Sequence, residues 1–234
     1  MPASLKIDFV SDVACPWCAV GLASLETALQ QLDGEVRADL HFQPFELNPQ
    51  MGPEGQDVSE HLAQKYGSTP EQQKANWEAL RQRAAAVGVE FRREGRSRVW
   101  NTFDAHRLLH WAGEQDAAAQ LALKKALLRA YFGEGRGLAD KQVLLQAVSE
   151  AGLDVERARA ILQGDTYAAE VREQEAFYTS HGIHAVPSVI VNEKHLIQGG
   201  QPRGGGPDAT AGAGDEESLG RSGHARSCHC GPAL

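Results

Sequence analysis

Leu5, Ile7 and Phe9 alternate with Lys6 and Asp8 and run into Val10, and this period of two predicts a strand over residues 5–10. Val20, Leu22, Leu25, Leu29 and Leu32 follow at helical spacing and stop at Gly34. Val36, Ala38, Leu40 and Phe42 alternate again, so a second strand returns parallel to the first across the helix. Phe42 to Pro49 leaves it as a proline-fixed loop at the carboxyl end of the sheet, and a Gly, Pro and Gln run through Gln56 reads as a linker. From Ser59 to His181 the pattern is helical. A start at Ser68-Thr69-Pro70-Glu71 runs to Val87 and Gly88, and Asn101 caps a segment that stops near Gly113. Leu121 to Tyr131 forms a third segment ending at Gly133, Asp140 and Asp154 cap two more, and Asp165-Thr166 opens the last, which closes at His181-Gly182. Alternation then returns. Val186-Pro187 leads into the apolar run 188–191, Asn192-Glu193-Lys194 turns the chain, and 195–198 pairs back, so a hairpin completes four strands.

Chemistry enters where the first strand turns into the first helix, at Cys15-Pro16-Trp17-Cys18. Pro16 suits the first helical turn, because its missing N–H needs no partner there. Cys15 then lies under free N–H groups at the positive end of the helix dipole, which favours a thiolate. Cys18 follows at a spacing that lets a disulfide close. Two plainer readings stand beside a redox pair: half of a zinc site, with Cys228 and Cys230 as the remaining ligands, or two core cysteines of no chemical role. The strand–helix setting favours the redox pair.

Composition narrows the partners. The chain has 234 residues, 42% of them hydrophobic, and a formal net charge of −8 with no basic stripe, which argues against nucleic acid. No apolar run approaches the length of a membrane span, and the N-terminus carries no signal-peptide pattern, so the expected compartment is the cytoplasm. There a Cys-x-x-Cys is more often catalytic than structural.

Several polar residues invite a role but have a structural reading of equal or greater weight. Asp12 reads as a strand-end acid that turns the chain, or else as a proton relay to Cys18. His106 and His110 share a helix face as ordinary packing residues, since no acid completes a metal motif. His184 precedes Pro187 and is a candidate neighbour of Cys15. Asn48 reads as a loop residue, Trp17 as either a packing residue or a substrate contact, and Arg92, Arg93, Arg96 and Arg98 as a solvated connection.

Taken together, Cys15-Pro16-Trp17-Cys18, the helical insertion and Val186-Pro187 before a hairpin resemble the DsbA-like branch of the thioredoxin superfamily. The segments 45–49, 101–107 and 196–202 look like its FrnE subgroup, a relative of 2-hydroxychromene-2-carboxylate isomerases and kappa-class glutathione transferases. The resemblance implies an α/β thioredoxin fold with a four-stranded mixed sheet and a large inserted α-helical domain. The corresponding division is 1–56 and 182–202 for the two thioredoxin-like parts, 57–181 for the insertion and 203–234 for a tail. It implies a thiol–disulfide oxidoreductase with Cys15 as the attacking and Cys18 as the resolving cysteine, and with Pro16, Trp17, Val186 and Pro187 against the substrate. Pro187 would be a cis-proline facing the dithiol. No metal or tightly held cofactor is expected; glutathione is a candidate co-substrate, and the partners are protein or small-molecule thiols and disulfides. The alternatives are a glutathione-dependent isomerase or transferase, and a metal-binding module.

The tail breaks the resemblance. Family members close with an amphipathic helix after Gly199-Gly200, whereas residues 203–234 here are glycine-rich and nearly free of large apolar side chains. The expectation is a disordered tail and a fold without its final helix.

Overall fold

The structure, a computed structural model, describes residues 2–199. The expectations for the tail, including a missing final helix and Cys228 and Cys230 as ligands, lie outside the described residues. Strand β1 spans Ala3–Ser11, helix α1 Pro16–Gln31 and strand β2 Val36–Pro44. After the helices come β5, Ser188–Val191, and β6, His195–Gln198, and the four strands form one mixed sheet in the order β2-β1-β5-β6. β1 pairs with β2 in parallel, placing Phe9 opposite Phe42, and with β5 antiparallel. The two rings meet edge to face at 5.7 Å. The β5–β6 turn holds Asn192 at φ 51° and Glu193 at φ 59°, the two left-handed residues of a tight hairpin turn, and Asn192 is tied to Lys6 on β1 through both backbone and side chain. β6 is an exposed edge, with Leu196 and Ile197 about half accessible.

Seven helices stand between β2 and β5: α2 Val58–Tyr66, α3 Pro70–Ala86, α4 Phe103–Gln115, α5 Ala117–Leu128, α6 Lys141–Glu150, α7 Val155–Gln163 and α8 Ala168–Ser180. Their ends follow local chemistry. Thr69 and Gln72 form a reciprocal capping box at α3. Asp57, Asp116, Asp140 and Asp154 accept backbone N–H bonds at the starts of α2, α5, α6 and α7.

The chain departs from the sequence expectations at four places. The supposed linker ends in β3, Gln56–Asp57, paired with β4, Arg98–Val99. The arginine run is only partly solvated: Arg92 and Arg93 are exposed, but Arg98 donates to the carbonyls of Glu54 and Gly55, Arg92 donates to that of Glu134, and Arg96 lies over the rings of Tyr131 and Phe132. Gly113 does not stop α4, which runs on to Gln115. A Cβ at that glycine would stand 2.7 Å from the Gln120 amide, so it serves a close approach. The last helix starts at Ala168, after Tyr167 at φ 64°, not at Asp165-Thr166.

α5 is clamped to the edge of the sheet. Gln120 Nε2 donates to the carbonyls of Phe42 and Leu109, and its Oε1 accepts from the Phe42 N–H, so a helix side chain satisfies the backbone of edge strand β2. One turn further along α5, Lys124 is buried with its nitrogen 5.7 Å from the centre of the Phe42 ring. Beyond Leu128 the helix widens into a π-turn, Arg129–Gly133, that buries Tyr131 and Phe132.

Candidate active site

The end of β1 and the start of α1 build the centre. Cys15 is the N-cap of α1 in extended conformation with Pro16 at the first helical position, as the sequence predicts. Its N–H donates to the Asp12 carbonyl, and its own carbonyl accepts from Cys18 N–H at 3.1 Å, which folds the tetrapeptide so that the two thiols converge. Both are free thiols and both are buried, Cys15 to 1% and Cys18 to 0% exposure. The Cys15 thiol donates to the Val186 carbonyl at 3.7 Å across 171 residues of sequence. Burial, then the adjoining Cys15, push the Cys18 thiol well up, against a smaller opposing pull from Lys124.

The Val186–Pro187 bond is cis, and Pro187 is buried against α1: a Cβ on Gly21 would come within 3.1 Å of its Cγ. Gly199 N–H donates to the Pro187 carbonyl and Ser188 Oγ to that of Ala185, so the hairpin fixes the segment. Trp17 is half-buried with the Arg83 guanidinium 5.3 Å from its ring. Cys15, Pro16, Trp17, Cys18, Val186 and Pro187 thus meet at one place. His184 is exposed, and the Asn48 side chain accepts from Lys65.

Asp12 does more than turn the chain. It is 1% exposed; one oxygen accepts from Ala14 N–H, the other from Leu47 N–H, and His106 Nε2 stands 3.4 Å away. Burial alone would raise its carboxyl, but His106 and the two backbone donors outweigh that and hold it below the usual carboxylate range. His106, expected as packing, is packed and also faces this carboxylate. Lys124 is 1% exposed, carries an ammonium nitrogen without a hydrogen-bond partner among the described residues, and has its pKa lowered by burial despite the opposing pull of Cys18, Asp12 and Cys15. The sequence reading missed Lys124. The available signal was its spacing, since Gln120, Lys124 and Leu127 fall on one face of α5.

Glu46, next in the loop after Phe45, is buried and paired with Arg172 of α8, which also holds Glu175 at 2.7 Å and lies 3.8 Å from the Phe103 ring. Among the described residues no cluster of three His, Cys, Asp or Glu side chains is arranged to hold a metal, and no helix is long and apolar enough to cross a membrane.

Residues 6–203 match the DSBA-like thioredoxin domain family. The uncharacterized protein YwbO of Bacillus subtilis is 27% identical over 191 residues, 81% of this chain and 88% of its own. The crystal structure of a probable DsbA oxidoreductase from Streptomyces coelicolor superposes with a TM-score of 0.77 at 36% identity, covering 85% of each chain. The cytosolic disulfide reductase DsbM of Pseudomonas aeruginosa, solved with GSH, shares the fold at 19% identity and a TM-score of 0.56, covering 82% of this chain and 89% of its own.

Proposed function

We propose, since the chain belongs to the DSBA-like thioredoxin domain family, that it exchanges disulfides through Cys15 and Cys18. The observation that carries this reading is the unequal placement of the two thiols. Both are buried, but Cys15 caps the helix and donates to the Val186 carbonyl, while Cys18 lies within the first helical turn with its pKa pushed up by burial and by Cys15. Cys15 as thiolate attacks a substrate disulfide, releasing one substrate thiol and leaving a mixed disulfide. Cys18 then attacks Cys15 Sγ, the second substrate thiol leaves, and the Cys15–Cys18 disulfide holds the two electrons' worth of oxidation. The reverse sequence oxidises a dithiol. Pro16, Trp17, Val186 and Pro187 form the rim that meets the substrate.

The substrates are protein or small-molecule thiols and disulfides, with glutathione, the ligand in the DsbM structure, as the candidate low-molecular-weight partner in a cytoplasmic setting. A glutathione-dependent isomerase of the 2-hydroxychromene-2-carboxylate type is the competing assignment, and two adjoining thiols in place of one activating group favour disulfide exchange over it. The test is insulin reduction beside chromene-carboxylate isomerisation with the same preparation. Reduction that disappears in Cys15→Ser supports the reading, and isomerisation without reduction overturns it.

A further inference from the structure

We propose that Arg83 selects substrates in which a carboxylate lies beside the reacting disulfide, binding that carboxylate at the edge of its guanidinium while the face rests on Trp17. This inference rests on the disulfide-exchange reading and adds a substrate class to it.

Trp17 stands between the two cysteines in the first turn of α1 and is half-buried. The residues one turn further along that helix, Val20 and Gly21, carry no charge. Charge reaches this place from the insertion instead. The Arg83 guanidinium of α3 lies over the Trp17 ring, 5.3 Å from its centre.

Arg83 is exposed and makes no ion pair among the described residues. Its own helix explains why. The side chains that can reach a helical residue stand three and four positions away, and here they are Ala79, Leu80, Ala86 and Val87. Arg81 of the same helix is the contrast: Glu78, three residues before it, accepts from its Nε and Nη2 at 3.0 and 2.8 Å. So α3 neutralises Arg81 and leaves Arg83, and Arg83 is the one that meets the tetrapeptide.

Stacking decides which part of the guanidinium a ligand can use. Over an aromatic ring an arginine spends its face, and its N–H donors lie in the plane of the group, in the fork that matches a carboxylate with two parallel bonds. The substrate sulfur comes to Cys15 beside Pro16 and Trp17, so the carboxylate within reach is one next to the reacting cysteine. An Asp or Glu neighbour in a peptide supplies it, and so do the two carboxylates of glutathione. A lysine or arginine at the same substrate position meets a like charge, which makes the selection two-sided. The formal net charge of −8 repels acidic substrates at long range, so a preference for them is local in origin.

The test uses the full chain in its reduced form. Three peptides, identical except for Glu, Gln or Lys beside the cysteine, are each joined as a disulfide to pyridine-2-thiol, a chromophore without a carboxylate. Attack of Cys15 on the peptide sulfur releases the chromophore, and the second-order rate constant is read from absorbance. An exposed ion pair is worth up to about fivefold. At low ionic strength the wild type is therefore expected to prefer Glu to Gln by roughly threefold to fivefold and to take Lys slowest, with the differences shrinking as salt rises. In Arg83→Gln the Glu-to-Gln ratio falls to about one or below, in Arg83→Lys it is intermediate, and in Arg83→Glu the Lys peptide becomes the fastest. The same comparison between the glutathione disulfide of the chromophore and its neutral diester separates a small carboxylate source from a peptide one. A preference for the acid form with either source, lost in Arg83→Gln, supports the proposal. Equal rates for acid and neutral forms of both in the wild type, or a preference that survives in Arg83→Gln, overturns it. If the wild type releases the chromophore from none of these disulfides, the disulfide-exchange reading itself has failed.

Discussion

The Asp12 carboxylate and the His106 imidazole stand 3.4 Å apart beneath the dithiol, the first 1% and the second 2% exposed. The His106 nitrogen is not aligned for a hydrogen bond to it. Asp12 holds the loop carrying Leu47 to the end of β1, and its carboxyl sits below the usual range. A depressed folded pKa stabilises the fold above the unfolded value of about 4 and loses that contribution as pH falls through the lower folded value. Urea unfolding of the wild type is therefore expected to weaken below about pH 4, and Asp12→Asn to cost about 2 kcal/mol at neutral pH, with the gap narrowing in acid. A gap constant with pH would remove Asp12 from the acid response.

The two thiols are expected to separate by reactivity. Burial pushes Cys18 up, so alkylation near about pH 6, read by mass spectrometry, should label Cys15 and spare Cys18. Cys18→Ser is expected to accumulate mixed disulfides and Cys15→Ser to abolish exchange. Labelling of Cys18 first would reverse the assigned roles.

Gly21 offers a probe of the rim that leaves the thiols intact. It lies on α1 where a Cβ would meet Pro187 Cγ at 3.1 Å and the Phe9 ring at 3.7 Å. Alanine there adds helix propensity of about 1 kcal/mol but presses on Pro187, whereas valine cannot fit without shifting it. Gly21→Val is expected to slow exchange about tenfold while Cys15 alkylation continues, because a displacement of about 1 Å at a substrate-positioning group has effects of that order or larger. Unchanged exchange kinetics would show that Pro187 does not position substrate.

Glu46 and Arg172 form an unequal pair, 2% and 46% exposed at their side chains. Burial raises the Glu46 carboxyl, and Arg172 only partly offsets this. Removing the arginine leaves a buried, uncompensated acid. Arg172→Met is expected to cost about 2–3 kcal/mol, at the low end for such pairs because its head is half exposed, and adding Glu46→Gln should recover most of it. Additive losses in denaturant titrations would deny the coupling. With a raised folded pKa, the Glu46 contribution is greatest in acid and is lost as pH rises through the folded value, so Arg172→Met should be rescued by lowering the pH.

The elements that place the thiols were legible because they are local. Alternation over residues 5–10, Pro16 in a helix's first turn, and Asn192-Glu193 between two short apolar runs each act within a few residues. The caps at Thr69, Asp140 and Asp154 were legible for the same reason. What escaped was tertiary. β3 and β4 have two residues each, too few for a period, and their pairing spans the whole of α2 and α3. Lys124 stands beside Lys125, which is exposed and paired with Glu26, and composition cannot say which of two adjacent lysines turns inward. The helical spacing of Lys124 from Gln120 does, once Gln120 is known to be clamped to Phe42.

The bond from Cys15 to Val186 joins positions 171 residues apart. On a ribosome making 5–20 residues per second, roughly 10–30 s pass between the appearance of the thiol and of the carbonyl that covers it. During that interval the nascent chain carries both cysteines three residues apart with neither rim nor floor, as an ordinary dithiol exposed to whatever oxidant surrounds it. The redox state in which each new molecule begins its working life is therefore set by the compartment of its synthesis, and the selectivity of the finished site applies only from the first turnover onward.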